Sequence, residues 1–301
     1  MTLEDLVESK WLNITSANDL LAATSRRDKR VVAIKDASLG LSVLPIPAIA
    51  DSTANRYVGV RINLSAEDTI FVLAPTNYEI YRKGGTRDIF NAMWAEVQSG
   101  SIPLTRKPAK QDRKKKIGLK TAQFNATYGV PYSIARAAYA SGEAIELETA
   151  PQVLEDLIAN FVPVVEAATG QKTSFNSNLL LGYYPKMHMG YHQDNEPHIK
   201  GNIIASVSLG ASAIMSFAEP KEHASDRSSK AAFSYPLAGT GGGMIQMGPG
   251  VNVDWWHKSE CVGLARFVDT LRGLDESMVE GGGEREEGAT EEEAKSGNEA
   301  E

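Results

Sequence analysis

Two residues of the segment YHQDNE, His192 and Asp194, are two positions apart. On an extended chain successive side chains alternate between faces, so this imidazole and this carboxylate point the same way. A second imidazole beside them would complete a face of two histidines and one carboxylate. That donor set suits a mononuclear non-haem Fe(II) ion and leaves the opposite coordination positions open for a cosubstrate and O2. Five histidines are available: His188, His192, His198, His223 and His257. His188 and His198 are close to the pair in sequence and belong on its flanks, while His223 sits in the charged stretch KEHASDRSSK, which would hold a ligand poorly. His257, in VDWWHKSE on a later predicted strand, is the best placed third ligand.

The segment RFVDTLR carries Arg266 and Arg272, six residues apart. An even separation keeps both on one face of a strand. Guanidinium groups suit a small dicarboxylate, because each makes bidentate bonds and neither loses its charge. Six residues of straight strand span about 20 Å. Both arginines can therefore serve one small ligand only if the strand bends or the long side chains converge.

Positioning these residues requires strands, and the second half of the chain reads as little else. NLLLGYY, GYHQD, NIIASVSLG, AIMSFA, AAFSYPL, GMIQMG and ARFVDTLR recur with glycine, proline or charged residues between them. VGVRINL and TIFVLAP add two earlier strands. An amphipathic helix is predicted near Thr86–Ser99, with Ile89, Phe90, Met93, Trp94 and Val97 on one stripe. Another covers Pro151–Thr169, with Val153, Leu154, Leu157, Ile158, Phe161, Val164 and Val165 inward. The pattern is α+β: a two-sheet β-sandwich of jelly-roll type with helices on one side. GTGGG at 239–243 matches no phosphate-loop spacing and reads as a hairpin, Ser206 to Gly210 as a buried strand, and one of Trp255 and Trp256 as core.

The chain divides into an extension over 1–58, a globular domain over 59–273 and an acidic tail over 274–301. The extension gives helical signals in LEDLVESKWL and ANDLLAATS and an extended one in RVVAIKD. The tail holds eleven acids against Arg285 and Lys295 and has no apolar periodicity, so it is expected to be disordered. Removing its charge of −9 from the total of −7 leaves a body at +2. On that body residues 106–120 concentrate eight basic residues against Asp112, a patch compatible with a polyanionic partner or with a solvated loop. The amino-terminal segment lacks a secretory core and no 18-residue uncharged run suggests a membrane span, so an intracellular place, nucleus or cytoplasm, is expected. The lone Cys261 fits a reducing compartment.

Four pieces in order, NLLLGYYP, GYHQDNE followed by IIASVSLGASAIMSF, WWHKS, and the R-x5-R strand, resemble the AlkB-like Fe(II)/2-oxoglutarate-dependent dioxygenases from roughly Tyr57 to Gly273. The resemblance implies a double-stranded β-helix (jelly roll) core, Fe(II) held by His192, Asp194 and His257, and 2-oxoglutarate and O2 as cosubstrates. It implies Arg266 as the partner of the 2-oxoglutarate side-chain carboxylate, with Arg272 near the cosubstrate and Asp194. An Asn-x-Tyr pair usually precedes the His-x-Asp. A gapless reading puts Leu181 at the Asn and Tyr183 at the Tyr, with Tyr184 the competing choice, so altered cosubstrate binding is expected. The nine residues from His257 to Arg266 imply a tight turn.

The implied activity is oxidative demethylation of alkylated bases in DNA or RNA, as in DNA repair, with release of formaldehyde and succinate and a single-stranded or flipped base as substrate. The family places a nucleotide-recognition lid upstream of its core, here 106–140. Tyr128 or Tyr132 could stack a base there while Lys114, Lys115 and Lys116 meet phosphates, or the tyrosines could pack beneath the loop. The alternatives are a hydroxylase or demethylase of a protein or small molecule, and a non-catalytic nucleic-acid-binding module on an oxygenase scaffold.

Overall fold

The computed structural model describes residues 40–44 and 57–275, apart from 65–67, 76, 107–122, 131–143, 185–186, 195–198, 212, 219–232, 238–242, 248 and 262–264. The described residues form two antiparallel sheets and a few helices. The larger sheet has eight strands in the order β1-β2-β3-β10-β7-β12-β5-β4, and the smaller has four, β6-β11-β8-β9. Their ranges are β1 Gly40–Leu44, β2 Tyr57–Asn63, β3 Thr69–Pro75, β4 Phe124–Gly129, β5 Ser177–Tyr183, β6 His188–His192, β7 Ile199–Gly210, β8 Ala213–Ala218, β9 Phe233–Leu237, β10 Gly243–Met247, β11 Trp256–Cys261 and β12 Arg266–Leu274. The helices are α1 Asn77–Tyr81, α2 Thr86–Ser99, α3 Gln152–Thr169 and α4 Pro249–Asp254.

The period of 3.6 brings Ile89 and Met93 of α2 inward, with Phe90, Trp94 and Val97 partly covered beside them. In α3 the same spacing buries Val153, Leu154, Leu157, Phe161, Val164 and Val165. Both helices pack on one face of the larger sheet, over Ala126, Tyr128, Leu180, Ala205, Val207, Leu209 and Phe267. The other face of that sheet meets the smaller one. Val72, Leu179, Leu181, Ile204 and Val268 from the large sheet share a second core cluster with Ala213, Met215, Phe217 and Cys261 from the small one. Strands β5 and β12 are consequently buried on both sides, and alternate residues of β12 face the helices or the intersheet gap.

The large sheet begins in the stretch read as an extension, because β1 pairs with β2 along Gly40–Leu44. The glycine run at 239–243 does not close a hairpin: β9 pairs with β8 in the small sheet, whereas β10 pairs with β3 and β7 in the large one. Between Cys261, the last residue of β11, and Arg266, the first of β12, the chain crosses from the small sheet to the large. The predicted helices LEDLVESKWL and ANDLLAATS, the strand RVVAIKD and the acidic tail beyond Asp275 lie outside the described residues. Among the described residues no helix is long and apolar enough to cross a membrane.

Candidate metal centre

Strands β6 and β11 are antiparallel neighbours, and His192 and His257 stand directly opposite each other across the ladder. Such pairs hold their side chains in contact, and here the ring centroids are 4.2 Å apart. Asp194, two residues beyond His192, falls on the same side. Its Oδ1 lies 3.8 Å from His192 Nε2 and its Oδ2 3.6 Å from His257 Nε2. Both separations are inside the limit of about 4.2 Å that two bonds of about 2.1 Å to a shared ion allow. One donor atom from each of the three residues lies within 4.8 Å of the others, so His192, Asp194 and His257 form a group able to hold a metal ion. Asp194 and His257 are buried and the His192 side chain is 30% exposed, which leaves the group open on the His192 side.

The protonation states suit that use. His192 Nδ1 is 2.8 Å from the Gly190 carbonyl oxygen; as the N–H donor there, it leaves the Nε2 lone pair facing Asp194 and His257. Burial, seconded by His257, pushes the His192 ring down to about 4 against the pull of Asp194, so the ring is neutral at pH 7. Burial by itself would raise the Asp194 carboxyl. Arg272, whose Nη2 is 3.3 Å from Oδ2, and the hydrogen bond from His257 outweigh it and hold that carboxyl well below the usual range. The neutral His192 imidazole and the anionic Asp194 carboxylate are in the forms that a divalent first-row ion binds. The buried Nδ1 of His257 has no hydrogen-bond partner among the described residues. His188 is exposed at the far end of β6, and His198 and His223 lie outside the described residues.

Arg266 and Arg272 both project from β12 into the gap between the sheets. Arg266 is 2% exposed. Its Nε donates to Ser208 Oγ at 2.7 Å, its Nη1 donates to Ser259 Oγ, and its guanidinium lies 5.3 Å from the ring centroid of Tyr183, its cross-strand neighbour on β5. Burial lowers its pKa and pushes the Tyr183 hydroxyl up to about 12. Among the described residues, then, the hydrogen-bond partners of this buried cation are hydroxyls. The strand does not need to bend for the two arginines to approach one region. Arg272 reaches Asp194, beside His257, and Arg266 reaches Ser259, two residues from His257.

Tyr183 faces the gap opposite Arg266, while Tyr184 is 44% exposed and packs edge-on against Phe124. Leu181 is buried in the intersheet core. Tyr128 corrects an expectation: it is fully buried beneath the helices, so its ring is closed to a nucleic-acid base and it packs under the surface instead. Tyr132, Lys114, Lys115 and Lys116 lie outside the described residues. Sequence reasoning missed Ser208 and Ser259. The spacing of Ser259 from His257 offered a signal, since positions two apart on a strand share a face; nothing local marked Ser208, which meets Arg266 through pairing of β7 with β12.

Antiparallel sheets carrying two imidazoles and a carboxylate around one small volume, with a buried arginine nearby, define a protein built for metal-dependent chemistry. The sequence profile of the 2OG-Fe(II) oxygenase superfamily matches residues 92–265, more than half of the chain and all three donors. The chain belongs to that superfamily and is a dioxygenase that uses Fe(II), 2-oxoglutarate and O2. No curated protein matches the chain. Among solved structures it is similar to one described as "The structure of OsALKBH1", at 15% identity and a TM-score of 0.43, over 70% of this chain and 99% of that one.

Proposed function

We propose that the protein is an AlkB-like oxidative dealkylase of nucleic-acid bases, with His192, Asp194 and His257 as its iron ligands and the two facing sheets as a double-stranded β-helix. The observation that carries the cosubstrate assignment is the buried Arg266 guanidinium, surrounded by Ser208, Ser259 and Tyr183. A buried cation costs several kcal/mol unless an anion joins it. The distal carboxylate of 2-oxoglutarate is such an anion, and the planar fork of an arginine matches it bidentately. Tyr183 and the two serines orient the fork, and Arg272 keeps Asp194 ionised so that it ligates as an anion. Fe(II) held by His192, Asp194 and His257 would, with 2-oxoglutarate and O2, supply the chemistry that hydroxylates an N-methyl carbon, with succinate and CO2 as co-products; cleavage of the C–N bond of the hydroxymethyl group would release formaldehyde and leave N–H on the base. The open side at His192 is the approach for a substrate, and the basic stretch 106–120 supplies charge for a phosphate backbone.

The burial of Tyr128 favours a second reading, in which the same centre acts on a protein side chain or a small molecule, because one of the two stacking candidates is withdrawn. The deciding assay follows succinate and formaldehyde with methylated single-stranded DNA or RNA. One formaldehyde per succinate on a methylated strand, absent with the unmethylated strand and in His192→Ala, is the expected result. Succinate release by His192→Ala at the wild-type rate would overturn the ligand assignment. Substrate-independent release that no oligonucleotide stimulates would turn the reading to a different substrate.

A further inference from the structure

The centre is assembled from two arms. One is His192 at the end of β6 with Asp194 just past it; the other is His257, the second residue of β11. Strand pairing aligns the two histidines; β6 ends at His192, and Asp194 lies two residues past that end, where Arg272 Nη2 meets its Oδ2 at 3.3 Å. Between His192 and Asp194, pointing to the opposite side, is Gln193. Its Nε2 donates to the main-chain carbonyl of Val253 in α4. That helix runs through Trp255 directly into β11 and His257. One side-chain bond therefore ties the first arm to the segment that delivers the second.

The far end of this tie is anchored. Val251 and Asn252 of α4 are fully buried, and Trp255 beyond it is nearly so. The Trp255 indole Nε1 donates to Asp68 Oδ2 at 3.0 Å, joining α4 to the entrance of β3 in the large sheet. Gly250 lies so close to the same carboxylate that a methyl group at this position would overlap Asp68 Oδ1. The helix is thus fixed to the scaffold on one side, while on the other it holds the more open arm of the site.

We infer that Gln193 is a positioning residue of the metal centre, a strut that keeps the His192–Asp194 arm in register with His257 by bonding the helix in front of β11. The inference rests on the reading of the triad as a metal site. Groups that orient metal ligands without touching the ion change affinity about 10- to 100-fold when removed.

Charge and position predict opposite outcomes at this residue, which makes it testable without turnover. The metal-free full-length chain is titrated with Mn(II), an ion that imidazole and carboxylate also bind, with free Mn(II) followed by electron paramagnetic resonance. Gln193→Glu keeps the size, loses the N–H donor and adds a negative charge. Gln193→Lys keeps a donor on a stem long enough to reach and adds a positive charge. Gln193→Ala removes the bond with no change of charge. A strut predicts that Gln193→Glu and Gln193→Ala bind Mn(II) about tenfold or more weakly than wild type while Gln193→Lys stays close to it. Simple electrostatics predicts Gln193→Glu tighter and Gln193→Lys weaker. That order, or a wild-type affinity in Gln193→Ala, overturns the inference while leaving the metal site standing. A wild-type chain that binds no Mn(II) overturns both.

Discussion

Arg266 is buried, with two serine hydroxyls and a tyrosine ring around it. Replacing an uncompensated buried charge with an apolar side chain of similar length is often neutral or stabilising. Arg266→Met is therefore expected to leave the melting temperature of the ligand-free protein unchanged or higher, while 2-oxoglutarate affinity by calorimetry falls about 100-fold. Arg266→Lys, which keeps the charge but loses the fork, should cost about tenfold. A ligand-free protein that unfolds earlier in both variants would mean that Arg266 serves the scaffold rather than a ligand. On the opposite face of β12, Asp269 is buried under the helices, with Oδ2 accepting from Asn178 at 3.0 Å and Oδ1 unpartnered among the described residues. Burial pushes its carboxyl from 3.8 up to about 7. The folded state thus holds a proton that the unfolded chain releases near pH 4, and stability from this group is lost as pH rises toward 7. The gap corresponds to at most about 4 kcal/mol. Asp269→Asn should therefore melt above wild type at pH 8, with the difference shrinking toward pH 4; a difference independent of pH would rule out this titration.

At the scale of elements, strand ends matter as much as strand cores. Gly210 closes β7 at a φ of 89° beside the start of β12, and a methyl group there would overlap the Phe90 ring and crowd the Ala265 carbonyl oxygen. Left-handed strain of about 1–2 kcal/mol and overpacking of about 1–3 kcal/mol both oppose Gly210→Ala. The urea midpoint should fall by the equivalent of about 2–5 kcal/mol, and an unchanged midpoint would show that the turn relaxes. Elements with strong local periodicity were legible in the sequence. The stripe in residues 86–99 became α2 and the apolar run after Pro151 became α3, each within a residue of its predicted span. Sheet membership was not, because pairing is set by contacts between residues far apart in the chain. Nothing in the glycine run 239–243 tells that the strand after it crosses to the other sheet. The same limit divides the candidate site. His192 and Asp194 share a face by simple alternation, whereas Ser208, Gln193 and Asp68 meet their partners only through the fold.

For the whole molecule, the site is also a joint between layers. His192, His257 and Ser259 belong to the small sheet, and Arg266, Arg272, Tyr183 and Ser208 to the large one. A diacid chelating a metal at the triad and reaching Arg266 would connect the two sheets. A ligand that binds only the folded chain stabilises it by about 2.7 kcal/mol at a hundred times its dissociation constant. For a domain of this size that corresponds to a rise of roughly 5–10 °C in melting temperature. Mn(II) with 2-oxoglutarate is expected to produce it. Mn(II) with pyruvate, which offers the chelating keto acid but no distal carboxylate, should give a small part of the effect, and in Arg266→Met the two keto acids should become equivalent. Equal stabilisation of the wild-type chain by both would mean that the distal carboxylate finds no partner in the gap, and the buried guanidinium would then be neutralised by something other than the cosubstrate.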